Sequence, residues 1–172
     1  AYAVNSEGVS YGEEKSFATL TKVDVFADKI ITVNGVSFTM KAVEGGTFNM
    51  GAQSVDPAGA NYDTEAWDRE APVHSVTLSD YYIGETEVTQ ELWQAVMGYN
   101  ISHFSGEQNP AEQVTWYDCQ NFIAQINLLT GMNFRLLTEA EWEYAARGGN
   151  KSEGYIYSGS DNLEDVAWFA DN

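Results

Sequence analysis

The chain has 172 residues, of which 44% are hydrophobic and 13% aromatic, so it can bury the core of one domain. Its 8 basic residues stand against 26 acidic ones, giving a formal net charge of -18. Such a surface repels phosphate backbones and anionic lipid headgroups, which argues against nucleic acid and membrane surfaces as partners. No apolar stretch approaches the roughly 20 residues that span a bilayer. The absence of an initiator Met and of a signal-peptide pattern predicts a piece of a longer protein.

The N-terminal stretch AYAVNSEGVSYGEEKSF predicts a β-hairpin. Residues 2–4 and 11–17 flank the turn residues 5–8 (NSEG), which is a hairpin signal. The stretch resembles the last hairpin of a fibronectin type III-like domain of bacterial surface proteins. We therefore assign residues 1–19 to the end of such a domain and residues 20–35 to a linker that becomes a strand.

Residues 38–82 predict two strand regions around a loop. Residues 38–50 (FTMKAVEGGTFNM) alternate on both sides of Gly45-Gly46, which predicts a second hairpin. Residues 52–71 predict a long acidic loop rich in Gly, Pro, Asn and Asp. Residues 73–82 (VHSVTLSDYY) alternate again and predict a strand.

Three helices follow, each with a threonine cap at its start and a glycine stop at its end. Thr89, Thr115 and Thr138 are the predicted caps, and Asp118 and Glu141 support the second and third of them. The apolar side chains that we expect to face the core are Leu92, Trp93, Val96, Met97, Cys119, Phe122, Ile123, Ile126, Leu129, Trp142, Ala145 and Ala146. The predicted stops are Gly98, Gly131 and Gly148-Gly149.

The order of the segments is more specific than any one of them. From about residue 36 to residue 172 the chain carries VEGGTFNMG, an acidic loop, EAPVHSVTLSDYYIGETEVTQELWQAVMG, NPAEQVTWYDCQNFI, GMNFRLLTEAEWEYAARGG and DNLEDVAWFADN. This series resembles the formylglycine-generating enzyme family, also called the sulfatase-modifying factor domain. The resemblance implies an α+β fold related to C-type lectins, loop-rich with short helices and hairpins. It also implies the extracytoplasmic setting, periplasmic or cell-surface, of many bacterial members.

Members of this family oxidise a cysteine of a sulfatase to formylglycine with oxygen and copper, and a cysteine pair in the C-terminal part of the domain holds the Cu(I). Soft thiolates suit that ion. This chain has one cysteine, Cys119, and lacks the GNVWEW-like and RGGSW-like segments of the family's C-terminal half. We therefore expect residues 36–172 to be the N-terminal part of an incomplete domain. We predict no catalytic, cofactor-binding or metal-binding residue and no formylglycine-generating activity in this chain.

Two positions depart from the family's pattern. Calcium-binding members carry an Asn two residues before the Trp of the last motif, whereas here Val166 precedes Trp168 at that spacing and offers no side-chain oxygen. The resemblance implies that a complete family member can bind copper and calcium. Because of Val166, we do not expect the calcium site in this chain. Leu137 replaces the proline that usually precedes the cap of the RLPTEAEW motif, which we expect to loosen the start of that helix slightly.

The residues with chemical potential favour structural roles. Cys119 lies on an apolar helix face, so a core position is expected rather than a nucleophile or copper ligand. His74 and His103 have no partner at metal-ligand spacing. Glu85 and Glu87 precede the first helix, where they favour its positive end.

Two acidic clusters are expected to be solvated loops and turns. The members of the first are Asp56, Asp63, Glu65, Asp68 and Glu70, and those of the second are Asp161, Asn162, Glu164 and Asp165. Neither has the alternating oxygens and glycine turn of a calcium loop, although a weak cation site remains an alternative at the second.

Three functions remain open on the sequence alone. The chain is part of a formylglycine-generating enzyme acting on a sulfatase, or a non-catalytic lectin-like module of a multidomain surface protein, or a structural spacer. The module would bind a protein or a glycan. The hairpin at residues 1–17 favours the module by analogy with tandem surface domains.

Overall fold

The computed structural model describes residues 26–167 in full and the backbone of residues 2–5 and 8–11. Strands β1 (Tyr2–Asn5) and β2 (Gly8–Tyr11) pair antiparallel. A hairpin at the N-terminus is therefore confirmed, but its bounds differ from the prediction: Asn5 and Gly8 of the predicted turn are paired strand residues, and the second strand begins at Gly8 instead of Tyr11. Residues 12–17 of the predicted second strand lie outside the described part. Its likeness to a fibronectin type III-like domain stays a prediction.

The remaining strands form two antiparallel sheets, and together with three helices they give the mixed α and β fold that the sequence predicts. The larger sheet has β4 (Val36–Val43) between β3 (Lys29–Val33) and β7 (Tyr81–Gly84). The smaller sheet pairs β5 (Thr47–Met50) with β6 (His74–Thr77).

The segment predicted as a linker ends in a strand of the larger sheet. β3 and β4 are joined by Asn34-Gly35, whose φ angles are 48° and 88°. A two-residue hairpin turn of type I′ needs positive φ at both central residues, and Asn-Gly is the pair it favours. Ile31 and Val33 of β3 are 7% and 4% exposed. Residues 29–33 therefore pack as part of the core.

Two strand predictions are wrong, and for the same reason. β4 and β5 flank Gly45-Gly46 but belong to different sheets, and β6 and β7 are likewise separated. The two connections pack against each other: the Gly45 N–H donates to Asp80 Oδ1 at 2.8 Å, and a Cβ on Gly45 would lie 2.3 Å from the Leu78 carbonyl oxygen. Residues 38–50 are thus not a hairpin and residues 73–82 are not one strand. Alternation of apolar and polar residues shows which side chains share a face of a strand, but it does not show which strand pairs with it.

The three helices are α1 (Gln90–Met97), α2 (Trp116–Thr130) and α3 (Glu139–Ala146). All three threonine caps are confirmed, and the second and third helices have complete capping boxes. Gly98 and Gly131 end the first two helices in the left-handed conformation, while α3 ends two residues before its predicted stop. Within the described residues, none of the helices has the length and apolar character to cross a bilayer.

The core lies between the larger sheet and helices α1 and α2. Its buried side chains are Ile31, Val33, Leu92, Trp93, Val96, Phe122 and Ile126. Trp93 and Phe122 stack with ring centroids 5.1 Å apart. Cys119 is only half-buried and Leu129 is 47% exposed, so α2 contributes a narrower apolar stripe than predicted. The buried residues of α2 are Phe122 and Ile126, which lie one helical turn apart on the same side of the helix.

Helix α3 buries a different face from the predicted one. Trp142 is 62% exposed and Ala145-Ala146 is half-buried, whereas Glu141 and Tyr144 are buried. Tyr144 packs against Phe48 of β5 with ring centroids 5.2 Å apart. Successive helix residues point about 100° apart, so the side that packs on the smaller sheet turns Trp142 away from it.

Candidate binding groove

An apolar groove of about 800 Å³ opens between the larger sheet and the three helices. Its lining comes from residues 36–40 of β4, residues 84–89, parts of α1 and α2, residues 134–139 and Trp142. The apolar side chains that line it include Phe38, Met40, Leu92, Phe134, Leu136 and Trp142. Its size falls in the range of roughly 300 to 1,000 Å³ that is typical of ligand sites.

Arg135, which lines the groove, is held by an ion pair with Glu141. Arg135 Nη1 donates to Glu141 Oε2 at 2.7 Å, and Nη2 donates to Oε1 at 2.6 Å. Glu141 Oε2 also accepts the Thr138 backbone N–H at 2.8 Å, which completes the capping box of α3. The Arg135 hydrogen bonds, with those of Thr138, lower the pKa of Glu141 to about 2 against the cost of burial. The same pair raises the pKa of Arg135.

The groove wall contains an unpaired donor. Trp93 lines the groove and is 2% exposed, and its indole N–H has no hydrogen-bond partner among the described residues. Buried donors normally find an acceptor, and leaving one unpaired costs about 1–3 kcal/mol. The wall beside Phe122 therefore lacks an acceptor that a fully packed core would supply.

Acidic side chains surround the apolar floor. Glu85, Glu87 and Glu139 are exposed at the groove, and Glu91 is half-buried there. Among the described residues that line the groove, Arg135 is the one basic side chain, and its positive charge is paired with the Glu141 carboxylate. The mouth of the groove is therefore negative, as is the chain as a whole.

The structure places the sequence's chemical candidates apart from one another. Cys119 lies half-buried in the groove wall, one turn before Phe122, and not in the core as predicted. His74 is exposed at the start of β6, where its Nδ1 lies 2.9 Å from the Pro72 carbonyl oxygen. His103 is exposed beside Phe104. In residues 26–167, no three His, Cys, Asp or Glu side chains come together as a metal site would require.

The acidic clusters shape turns, as predicted. Asp56 Oδ1 accepts the Ala58 N–H at 3.0 Å, and Asp63 Oδ1 accepts the Glu65 N–H at 2.8 Å. In the second cluster, Asn162 caps a short 3-10 turn over Leu163–Asp165. These carboxylates and amides satisfy backbone donors of their own loops.

At the last motif, Val166 is 39% exposed and its apolar side chain offers no oxygen to a calcium ion. Trp168, which anchors the comparison with calcium-binding members, lies outside the described residues. The groove was not predicted from the sequence. Leu136 and Trp142 are apolar residues, and residues of this type line a core as well as a groove.

Comparison with known proteins agrees with the fold and the motif order. Residues 34–172 match the family model of the sulfatase-modifying factor enzyme 1-like domain. The chain is 41% identical over 128 residues to the chaperone protein LppX of Paenibacillus barcinonensis, covering 55% of this chain and 46% of that protein.

Two solved structures share the fold. Treponema denticola variable protein 1 superposes with a TM-score of 0.66 and 31% identity, over 84% of this chain and 65% of that one. PvdO from Pseudomonas aeruginosa superposes with a TM-score of 0.59 and 22% identity, over 83% of this chain and 64% of that one, which is a likeness of fold alone. The chain thus spans about half of the curated relative and just under two thirds of each solved structure. Because the family model covers most of its length, the chain belongs to the sulfatase-modifying factor family.

Proposed function

We propose that this chain is a non-catalytic binding module of the sulfatase-modifying factor family and that the apolar groove is its ligand surface. The observation that carries the proposal is the open apolar groove itself, whose lining includes the 62% exposed Trp142. Soluble proteins rarely leave an apolar patch of this kind open unless it binds something. A structural spacer gives no reason for such a surface.

The chain's own residues do not fit the family's copper. Cu(I) is held by soft ligands, which in this family are two thiolates, and Cys119 is the single cysteine of the chain. Calcium does not fit the last motif either, since Val166 has no oxygen to offer. We therefore derive no oxidation step and no metal-dependent step for this chain.

A protein ligand is favoured over a glycan. The relative LppX is named a chaperone protein, and a chaperone contacts other polypeptides. The groove lining is predominantly apolar, which suits the side chains of a polypeptide better than the hydroxyl groups of a sugar.

We also propose that the module works outside the cytoplasm, at the cell surface or in the periplasm. The support is the likeness of residues 1–17 to a hairpin of surface-protein domains. Fractionation of the producing cells, probed with an antibody raised against this chain, tests the location. Recovery in the cytoplasmic fraction alone contradicts it.

The second candidate is oxidation of a sulfatase cysteine, which membership of the family favours. We expect that incubation of the chain with a sulfatase-derived peptide, copper and oxygen leaves the peptide's cysteine unchanged by mass spectrometry. Formation of measurable aldehyde overturns the non-catalytic proposal.

Binding is tested with peptide and glycan arrays and a matched pair of variants. Trp142→Ala removes a groove side chain, whereas Trp116→Ala removes a tryptophan of similar exposure, 61%, that does not line the groove. We expect peptides to be retained, and retention to fall in Trp142→Ala but not in Trp116→Ala. Retention of glycans alone, or equal loss in both variants, contradicts the proposed surface.

A further inference from the structure

We infer that the groove takes an extended segment of a partner polypeptide, which adds as a strand to the open edge of β4 and is apolar in its middle with Lys or Arg at its ends. This inference rests on the proposed function and names its ligand. Three features of the groove carry it: an uncovered strand edge, an apolar lining, and a negative mouth.

β4 has a neighbouring strand along a different part of its length on each side. β3 pairs with β4 from Val36 to Met40. On the opposite side β7 pairs with β4 from Val43 only as far as Met40, which lies opposite Gly84. The last contact there is the Glu85 N–H donating to the Thr39 carbonyl oxygen at 3.0 Å. Among the described residues, no strand therefore lies beside the first residues of β4 on this side.

The backbone of Ser37 points to that uncovered side. In an antiparallel sheet, alternate residues direct their N–H and C=O groups to opposite neighbours. The bond at Thr39 faces the β7 side, so Ser37, two residues earlier, faces the same way. β7 ends too early to reach Ser37, and residues 86–89 leave the sheet towards α1. In the part of the chain that the structure describes, the N–H and C=O groups of Ser37 thus have no backbone partner on this side and are available to an added strand.

The groove follows this edge. Residues 36–40 line it consecutively, whereas the face of a strand would present only every second residue. At about 3.3 Å per residue, the uncovered edge from Val36 to Phe38 accommodates an extended segment of about three residues. An added strand would place alternate side chains against Phe38, Met40 and Trp142, which favours apolar residues at those positions.

The negative charge around the groove favours basic residues at the ends of the bound peptide segment. Glu87 and Glu139 are exposed at the mouth, and Arg135 is already paired with Glu141. A segment with Lys or Arg at its ends is attracted by these carboxylates and by the net charge of -18, and an acidic segment is repelled. The attraction is screened by salt, because the glutamates are exposed.

The test uses the 172-residue chain and a fluorescent synthetic peptide of about eight residues, with alternating Val and Phe in the middle and Lys at both ends. Three comparison peptides carry Glu ends, N-methyl groups on one alternate set of middle amides, or N-methyl groups on the other set. Fluorescence anisotropy measures Kd for each peptide. Because only one set of amides can face β4, we expect one N-methylated peptide to bind at least about tenfold more weakly and the other to bind like the parent.

Charge is tested on both partners. We expect Glu ends to weaken binding at least about tenfold and added salt to weaken binding of the Lys-ended peptide. Glu87→Gln should weaken it as well, while Glu164→Gln, an exposed glutamate away from the groove, should not. As a second readout, bound peptide should slow alkylation of Cys119, because this single cysteine lies in the groove wall.

Several outcomes overturn the inference, and all but the last of them leave the proposed function standing. If peptides bind through Trp142 but both N-methylated sets behave alike, the peptide is not an added strand. If Glu-ended peptides bind as well as Lys-ended ones, the charge preference is wrong. If the chain elutes as a dimer with Cys119 protected before any peptide is added, a second copy holds the groove. If no peptide binds while Cys119 reacts freely, both the inference and the proposed function fail.

Discussion

Arg135 donates through both terminal guanidinium nitrogens to the Glu141 carboxylate, at 2.7 and 2.6 Å. The same carboxylate accepts the Thr138 N–H, and the Glu141 backbone carbonyl accepts the Tyr81 hydroxyl at 2.5 Å. One residue in the first turn of α3 therefore ties the preceding loop, the start of the helix and strand β7 together. Arg135, Thr138 and Trp142 also line the groove, so this arrangement holds part of its wall in place.

Removing the charge of Glu141 should destabilise the fold. We expect Glu141→Gln to lower the free energy of unfolding by about 2 kcal/mol at pH 7, since a bidentate pair and a capping box are weakened. The loss stays below that of a fully buried pair because the Arg135 side chain is 55% exposed and its charge returns to water. Urea denaturation measures the change. Glu139→Gln, exposed in the same helical turn, serves as the control and should cost less than about 0.5 kcal/mol; equal losses would contradict the special role of Glu141.

The same carboxylate predicts a dependence of stability on acid. The pKa of Glu141 falls from its ordinary 4.5 to about 2, chiefly because Arg135 hydrogen-bonds to its charged form. The unfolded chain therefore takes up this proton first, so the contribution is present above pH 4.5 and is lost as the pH falls from 4.5 towards 2. Urea midpoints measured at pH 7, 5 and 3 should fall less steeply in Glu141→Gln. An identical pH profile in the two proteins would show that the pair does not set the acid sensitivity.

Tyr81 predicts the opposite dependence at high pH. Burial, with smaller effects of Glu141 and Tyr144, raises its pKa from 10 to about 12. The folded chain therefore retains the phenolic proton longer, and stability is lost as the pH rises from 10 towards 12. Tyr81→Phe should flatten this alkaline loss and cost about 1 kcal/mol at pH 7 through the hydrogen bond to Glu141. Tyr82→Phe, on the neighbouring position, is the control and should keep the alkaline loss of the parent chain.

The burial pattern of α2 predicts unequal costs for two side chains that the sequence places on one stripe. Ile126 is 2% exposed and Leu129 is 47% exposed. Ile126→Ala should lower the free energy of unfolding by about 3 kcal/mol, because it leaves a cavity in the core. Leu129→Ala should cost less than about 1 kcal/mol. Thermal or urea melts of both variants check the difference, and similar costs would mean that the helix packs along the broader stripe.

The sequence by itself determined the features that a few neighbouring residues decide. The threonine caps and the boxes at Thr115 and Thr138 depend on groups three positions apart, so the starts of all three helices could be predicted. The turn residues of the N-terminal hairpin are local in the same way. The order of the motifs added the family, because a series of segments over residues 36–172 is far more specific than any single one.

Tertiary structure alone decided which elements meet. Alternation along residues 38–50 and 73–82 indicated strands, but pairing depends on residues far away in the chain, and the strands on either side of Gly45-Gly46 joined different sheets. Helix α3 likewise carries apolar and polar residues around its axis, and contact with β5 selected Tyr144 rather than Trp142 for burial. The groove follows from both choices. It lies where the pairing of β7 with β4 ends and where the Trp142 side chain of α3 faces away from the core. Both features depend on contacts between distant parts of the chain, which a local sequence pattern does not report.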